Sequence, residues 1–301
     1  MKVRLWAVSF LNARPITYGL ERGLGEDHFE LRFDLPARCA QALTAGEADL
    51  ALLPTASYAA VPEALRVVPG IAVAGRGPVR TVLLVGEVPW EQMDRIALDA
   101  ASRSSAMLLK ILSHERRLSQ RFEEVDHDAA TGIAARRRGA MIIGDAGFVV
   151  GDRYPYVYDL GHEWTQLVGL PFVYAVWAGR PGAAGPKEVA LLRESLRQGL
   201  DRRGEIARAW SQERGIEPAV CAHYLEHNIR YQLGAEELSG AAAFLHRAHA
   251  RRHMAHGLVG KRDRHQVIQV PVIRAIAQVL AVTADGEGIQ ELAHAPQKGF
   301  I

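Results

Sequence analysis

The sequence predicts a two-lobed α/β fold, and three observations indicate it. Apolar strands alternate with helical segments through roughly the first 180 residues. A unit of helix, glycine, apolar strand and short polar turn occurs twice, once around Gly46 and once around Gly139. Two longer apolar runs, Val79–Val85 and Phe172–Trp177, enclose a complete α/β set between them. Such runs are typical of strands that lead from one lobe to the other and back.

Size and composition are consistent with this fold. The chain has 301 residues, which at about 150 residues per domain favours two units. Its hydrophobic fraction of 49% and charged fraction of 23% exclude a disordered chain and a fibrous repeat. The formal net charge of +2 gives no support to a nucleic-acid partner, because such proteins usually concentrate basic residues.

The cysteines and the N-terminus indicate the compartment. Cys39 and Cys221 are far apart, so neither a metal-ligand spacing nor a disulfide framework follows, and a reducing compartment is expected. The first nine residues predict a β-strand rather than a signal peptide. No apolar run reaches the ~18 residues of a transmembrane helix. We therefore expect a cytoplasmic protein without a membrane partner.

The first lobe follows from local signals in chain order. A strand over Val3–Val8 leads to Asn12, a residue that favours helix caps, and Pro15 is tolerated in the first turn of the next helix. Next come a strand over Leu31–Leu35, a helix over Ala37–Ala45 that ends at Gly46, and a strand over Asp49–Leu53.

The second lobe and the C-terminal region continue the pattern. A strand over Arg95–Leu98, a helix over Ala106–Leu112, a helix over Ala129–Arg138 and a strand over Ala140–Ile143 are expected. Four helices then follow, over Glu188–Leu200, Glu205–Arg214, Pro218–His227 and Glu236–His256. We predict a first lobe of residues 1–85 with 173–256, a second lobe of residues 86–172, and an extension, 257–301, without an assigned role.

Two candidate sites lie at the ends of strands. Ser9 and Asn12 stand where the first strand meets a helix, and the carboxyl ends of strands are where open α/β sheets bind ligands. The alternative is that Asn12 is only a cap and Ser9 only a turn residue.

Arg80 and Thr81 alternate in direction along a strand, so at most one faces a given cleft. Here the alternative is a surface arginine and a strand-favouring threonine.

Two further candidates stand at helix starts. Ser102, Arg103, Ser104 and Ser105 precede a helix and form a plausible cradle for a carboxylate or phosphate, denser than capping alone requires. Asp145 follows a strand, where a cap of the next helix is a better interpretation than a catalytic base.

The remaining candidates are weaker. Trp164 and Phe172, with Gly169 and Pro171 between them, offer the wall of a pocket, but core packing is the better interpretation of isolated aromatic residues. Four histidines recur on one helix side, which we interpret as a solvated face rather than a zinc site: His246, His249, His253 and His256. No motif for nucleotide binding, a zinc protease or a serine hydrolase occurs, so no metal or cofactor is expected.

Five segments together resemble the menaquinone-biosynthesis chorismate dehydratase family of the futalosine pathway. They are Val8–Pro15, Gly77–Val82, Ser102–Ser105, Gly144–Ala146 and Gly169–Val173. Their order and spacing cover roughly residues 1–256. Thr81 stands where serine is expected, which keeps the hydroxyl and adds a methyl group.

The resemblance implies a fold like that of type II periplasmic binding proteins, with the substrate in the cleft between the lobes. It implies conversion of chorismate to 3-[(1-carboxyvinyl)oxy]benzoate and water without a cofactor. The resemblance further implies that the enolpyruvyl carboxylate of the substrate takes the C3 proton and that Asn12 and Thr81 orient the reacting groups. Substrate-binding residues are then expected among Ser9, Arg80, Ser102, Arg103, Ser104, Ser105, Asp145, Gly169, Pro171 and Phe172.

Two alternatives of other kinds stay open from the sequence. One is a cytoplasmic sensor or binding protein for a small anion, which uses the same fold without chemistry. The other is the sister 1,4-dihydroxy-6-naphthoate synthase, which shares the fold but has a different opening motif. The sequence does not predict an oligomeric state.

Overall fold

The computed structural model describes residues 2–58, 65–150 and 153–255. The strands in chain order are β1 (Val3–Val8), β2 (Phe29–Asp34), β3 (Leu50–Pro54), β4 (Arg66–Gly75), β5 (Val82–Gly86), β6 (Arg95–Asp99), β7 (Arg121–Val125), β8 (Arg138–Ile143), β9 (Tyr156–Asp159) and β10 (Phe172–Gly179). They form two five-stranded sheets. The predicted extension, 257–301, and His256 lie outside the described residues.

Helices connect and cover the strands. In chain order they are α1 (Arg14–Thr17), α2 (Pro36–Thr44), α3 (Thr55–Tyr58), α4 (Arg103–Glu115), α5 (His127–Ala130), α6 (Gly147–Val150), α7 (Leu160–Val168), α8 (Pro186–Asp201), α9 (Arg203–Arg214), α10 (Pro218–His223) and α11 (Ala235–Ala255). Short 3-10 turns include Leu11–Ala13 and Gly144–Ala146, and a π-helical turn spans Tyr224–Asn228. Within the described ranges, no helix has the length and apolarity needed to cross a membrane.

The two sheets have the same design. In the first, the order is β2-β1-β3-β10-β4, with β1 parallel to β2 and β3 and with β10 antiparallel to both of its neighbours. In the second, the order is β7-β6-β8-β5-β9, with β6 parallel to β7 and β8 and with β5 antiparallel to both of its neighbours. Each sheet thus has three parallel strands whose carboxyl ends meet at one edge.

The chain passes from the first sheet to the second through residues 76–81. The sequence prediction placed Val82–Val85 in the first lobe, whereas β5 pairs with β8 and β9 in the second sheet. The backbone turns before that strand begins, with φ of +84° at Gly77 and +63° at Arg80. These left-handed conformations redirect the chain before Val82, so the part of the apolar run from Val82 onward is a strand of the second sheet.

The predicted helix over Ala129–Arg138 is wrong. Only the four residues of α5 are helical, and Ala135 and Arg138 form an isolated bridge. Arg136 has a φ of +54°, which no α-helix tolerates. The arginines instead bind carboxylates outside this segment, Arg137 to Asp94 and Arg138 to Glu123. These contacts join sequence-distant segments, so helix propensity alone did not reveal them.

The C-terminal helices pack against the first sheet. Helix α8 lies on α1 and β4, and α11 lies on β10 and α4. The largest fully buried side chains are aromatic, and they are Trp90, Trp164, Trp177, Tyr224, Phe172 and Phe244. One apolar core continues from the first sheet into the second, from Leu52 to Leu98 for example. The carboxyl edges of the two sheets are therefore held together by packing rather than by the connecting segments alone.

Gly199 allows α8 to pack directly on the backbone of α1. A Cβ atom at this position would lie 2.0 Å from the carbonyl oxygen of Pro15. We expect Gly199→Ala to lower the free energy of unfolding by about 2 kcal/mol, because backbone atoms must move to accept the methyl group. Urea unfolding monitored by circular dichroism measures this change.

The matched control is Gly204→Ala in α9. A Cβ there would meet only the end of the Arg208 side chain, at 3.7 Å. Alanine also favours a helix over glycine by up to about 1 kcal/mol. Gly204→Ala is therefore expected to leave stability unchanged or higher, and equal losses in the two variants would contradict the packing explanation.

Candidate functional site

A cavity lies where the carboxyl edges of the two sheets meet. About 540 Å³ of space lies between its walls, part of which is open to solvent. Its walls come from both sheets and from the segments that follow their strands. The lining residues are Val8, Phe10, Asn12, Pro36, Leu52, Pro54, Val73, Val79, Thr81, Val82, Ser102, Ser104, Ser105, Ile143, Gly144, Tyr174 and Ala175.

Asn12 faces this cavity and does not cap a helix. It lies in the middle of the 3-10 turn that follows β1, and the capping position there belongs to Phe10. No side-chain cap is present at that turn or at the start of α1, so the interpretation of Asn12 as a cap is wrong. Ser9 is half-buried, its amide donates to the carbonyl of Asp34 at 3.0 Å, and it does not line the cavity.

Thr81 lines the cavity, whereas Arg80 does not. Thr81 is 2% exposed, and its Oγ1 lies 2.8 Å from the Tyr224 hydroxyl and 3.3 Å from the Val79 carbonyl oxygen. This agrees with the expectation that only one of the two adjacent side chains faces a cleft. The two side chains point in different directions because the backbone of Arg80 is left-handed, and not because side chains alternate along a strand.

Asp159 holds the segment that carries Thr81. One carboxylate oxygen accepts hydrogen bonds from the amides of Val79 and Arg80, at 2.9 and 2.6 Å. The other accepts from the amides of Gly161 and His162, at 3.0 and 3.1 Å, and so caps α7. Burial raises the pKa of Asp159 and outweighs the four amides, which lower it.

The serine cluster lies at the start of α4, which begins at Arg103 rather than at Ala106. Ser102 caps the helix, with Oγ accepting from the Ser105 amide at 3.3 Å and 2.8 Å from the Ser105 hydroxyl. Ser104 Oγ accepts from the Ala56 amide at 3.0 Å. All three serines line the cavity, so capping and cavity lining coexist, while Arg103 is exposed and does not line it.

Asp145 connects the second sheet to the first. Its Oδ1 accepts a hydrogen bond at 3.2 Å from the amide of Leu11, immediately before Asn12. The 3-10 turn that contains Asp145 has Ile143 at its capping position, without a side-chain cap. The expected role as a helix cap is therefore replaced by a contact between elements of different sheets. Burial raises the pKa of Asp145 to about 6, and the Leu11 amide lowers it in part.

The raised pKa of Asp145 predicts a pH-dependent stability. Its protonated form stabilises the fold, and this contribution is complete below the unfolded pKa of about 4 and is lost as the pH rises through about 6. Asp145→Asn keeps an oxygen for Leu11 without the charge. We expect it to unfold like wild type at pH 4 but to be about 2 kcal/mol more stable at pH 7.5. Urea unfolding across this range tests it, and a constant difference at all pH values would contradict it.

The structure does not bring Gly169, Pro171 and Phe172 to the cavity. Phe172 is fully buried against Trp164 and Phe244, with ring centroids 5.5 and 4.9 Å apart. The Pro171 carbonyl accepts a hydrogen bond from the Trp164 indole at 3.3 Å. Gly169 ends α7 with a φ of +75°. These residues therefore contribute to the packing of α7, β10 and α11, in agreement with the core-packing interpretation.

The structure shows a histidine next to a buried carboxylate, His127 beside Asp99, which the sequence did not reveal. His127 Nδ1 lies 2.6 Å from Asp99 Oδ2, and that carboxylate is almost fully buried. The hydrogen bond to Asp99 raises the His127 pKa. The ring lies 5.7 Å from that of Phe10, which separates it from the cavity. No group of metal-binding side chains occurs in the part of the chain that the structure describes.

Two tyrosines also escaped the sequence analysis. Tyr174 in β10 lines the cavity, and its hydroxyl is buried without a hydrogen bond to any described residue. Tyr224 lies behind Thr81 and is fully buried. Burial raises its pKa, and hydrogen bonds with Thr81 and Asn12 lower it in part. Isolated tyrosines carry no spacing signal, so only the fold reveals their place at this site.

The polar groups of the largely apolar cavity wall are uncharged. Among the described residues, its hydrogen-bonding side chains are one amide, four aliphatic hydroxyls and one phenol, and none is charged. The helix α4 begins at this wall, and its first amides carry a partial positive charge. An anion in this cavity would therefore be held by hydrogen-bond donors and a helix terminus rather than by an arginine or lysine.

Comparison with known proteins gives the family. Residues 3–250 match a family model described as menaquinone biosynthesis. The chain belongs to that family. A chorismate dehydratase from Thermus thermophilus is 31% identical over 258 residues, which cover 77% of this chain and 94% of the relative. These findings confirm the resemblance predicted from the five segments.

Solved structures of similar fold place the family among binding-protein-like folds. The protein AF1704 from Archaeoglobus fulgidus has a TM-score of 0.67 at 15% identity and covers 86% of this chain and 98% of its own. The periplasmic aliphatic sulphonate binding protein SsuA from Escherichia coli has a TM-score of 0.58 at 17% identity, covering 90% and 99%. At these identities only the fold is shared, and it confirms the predicted α/β fold of the periplasmic-binding-protein type.

Proposed function

We propose that this chain is a hydro-lyase that dehydrates chorismate to 3-[(1-carboxyvinyl)oxy]benzoate in the cytoplasm, as a step of menaquinone biosynthesis. The observation that carries the proposal is the cavity between the two sheets, whose polar lining side chains are uncharged, in a chain 31% identical to a chorismate dehydratase. We further propose that each sheet is the centre of one lobe and that the substrate binds between the lobes.

The cavity suits the two carboxylates of chorismate. The start of α4 offers amides and the hydroxyls of Ser102 and Ser105, which together can bind one carboxylate, whereas the Ser104 hydroxyl donates to the Tyr174 carbonyl at 3.3 Å. The apolar wall, which includes Phe10 and Val73, suits the ring and keeps water from it. In this arrangement the dianion is oriented by fixed dipoles, which lose no side-chain freedom on binding.

The proposed reaction then needs few catalytic side chains. The enolpyruvyl carboxylate takes the C3 proton, the electron pair delocalises toward the ring carboxylate, and the C4 hydroxyl departs with that proton as water when the ring becomes aromatic. The substrate's own enolpyruvyl carboxylate is the proposed base, and the lack of a charged side chain among the described lining residues supports this choice. Asn12 and the Thr81 hydroxyl orient the reacting groups and stabilise the developing charge.

The test is turnover by the purified protein. After chelation and desalting, the protein is incubated with chorismate, and the substituted benzoate is followed by chromatography and mass spectrometry. Stoichiometric formation of this product without any added metal or cofactor is expected. Calorimetric binding of chorismate without product would favour the anion-binding alternative. Neither binding nor product would overturn the proposal and leave the sister naphthoate synthase as the next activity to assay.

A further inference from the structure

One buried hydroxyl group lies directly behind the cavity wall. The Tyr224 side chain is fully buried, and its hydroxyl is 2.8 Å from Thr81 Oγ1. Thr81 lines the cavity, whereas Tyr224 does not. The ring edge packs on Phe148 at 4.9 Å, which fixes the plane in which the hydroxyl lies.

The segment around Tyr224 is anchored to the chain crossing that carries Thr81. Tyr224 begins a π-helical turn, and such turns are frequent at functional sites. At the end of this turn the Asn228 side-chain amide donates to the Pro78 carbonyl at 2.9 Å. Arg230 exchanges backbone hydrogen bonds with Ala74, at 2.8 and 2.9 Å. The segment that follows the tyrosine therefore contacts both β4 and the crossing.

We propose that Tyr224 is a positioning residue for the dehydration, which fixes the direction of the Thr81 hydroxyl toward the substrate. This inference rests on the proposed function. A threonine hydroxyl has one proton and two acceptor lone pairs, and its proton rotates to suit its partners. When the phenol donates to Thr81 Oγ1, one lone pair is occupied and the threonine proton has fewer directions left. The Val79 carbonyl oxygen, 3.3 Å away, is the other partner of this hydroxyl, so without the phenol the hydroxyl is held only by that longer contact.

Tyr224→Phe removes only the hydroxyl and keeps the ring. We expect kcat with chorismate to fall roughly 10- to 100-fold and KM to change less than about threefold, because the residue acts on orientation and not on binding. The melting temperature reports folding separately. A variant that loses stability but keeps the wild-type kcat would show a merely structural hydroxyl and overturn the inference.

Tyr231→Phe is the matched control. Tyr231 is 5% exposed, and its hydroxyl is buried without a hydrogen bond to any described residue. It lies seven residues after Tyr224 in sequence and contacts β4, its carbonyl accepting from the Ala72 amide at 2.9 Å. Removing this phenol leaves Thr81 untouched, so wild-type kcat is expected. An equal loss of kcat in both variants would overturn the specific role of Tyr224.

Two variants of Thr81 test whether Tyr224 acts through the Thr81 hydroxyl. In Thr81→Ser the hydroxyl remains, so adding Tyr224→Phe should lower kcat about as much as in wild type. In Thr81→Val there is no hydroxyl to direct, so adding Tyr224→Phe should lower kcat clearly less than it does in Thr81→Ser, and the loss that remains reports the hydrogen bond between the phenol and Asn12. Equal losses in both backgrounds would overturn the inference. An inactive wild-type protein would overturn the proposed function and this inference with it, whereas an active wild type with an unchanged Tyr224→Phe overturns only the inference.

Discussion

Asn12→Ala is expected to lower the turnover of chorismate by at least about 100-fold while the protein stays folded. The Asn12 side chain lies on the cavity wall and caps no helix, so alanine removes an orienting amide without removing a structural contact of α1. Losing one preorganised donor to developing charge commonly costs about 100- to 1,000-fold in kcat. Steady-state kinetics with chorismate measures the change, and the melting curve reports folding.

Gln166→Ala is the control for this substitution. Gln166 carries the same functional group on the exposed surface of α7, away from the cavity lining. It should turn over chorismate like wild type. If Asn12→Ala also kept wild-type kcat, the proposed catalytic role of Asn12 would be wrong. A loss of both activity and the cooperative melting transition would instead assign Asn12 to folding.

Asp159→Ala is expected to be the most destabilising of the substitutions considered. The carboxylate accepts hydrogen bonds from four backbone amides, two in the chain crossing and two at the start of α7. Alanine leaves partly buried amides without acceptors, and we expect the free energy of unfolding to fall by about 2–4 kcal/mol. The activity that remains should be reduced as well, because the crossing carries Thr81 next to Arg80.

The comparison for this variant is Asp94→Ala. Asp94 is an exposed partner of Arg137 on the surface of the second sheet, and solvent screening leaves such a pair with little effect on stability. Urea unfolding of the two variants should therefore differ clearly. Similar midpoints would show that the crossing does not depend on the Asp159 carboxylate.

Much of the architecture was readable from local patterns. The strand Val3–Val8 was predicted with the bounds that the structure shows, because an apolar run between polar neighbours has few other solutions. The helix after Pro186 was also found, since its apolar spacing and the proline in its first turn agree. The failure at Ala129–Arg138 has a different cause. Three arginines favour a helix locally, but their carboxylate partners come from elsewhere in the chain.

The candidate site was only partly readable. Asn12, Thr81, Ser102, Ser104 and Ser105 were singled out, and the structure brings all five to one cavity. Arg80 and Arg103 were expected beside a dianion because their charge suits it, yet neither lines the cavity. The side chain of a residue next to a site is directed by backbone geometry, and sequence proximity does not fix that direction.

By itself, the sequence determined the α/β alternation, the family and the polar segments that follow the strands. These depend on local periodicity and on short motifs, which a single chain displays directly. Only the tertiary structure decided that the wall of the cavity is uncharged, that Asp159 holds the crossing and that Tyr224 lies behind Thr81. The physical reason is distance along the chain: Tyr224 and Thr81 are 143 residues apart, and Val79 and Asp159 are 80 apart. Hydrogen bonds between such partners form only after both sheets have packed.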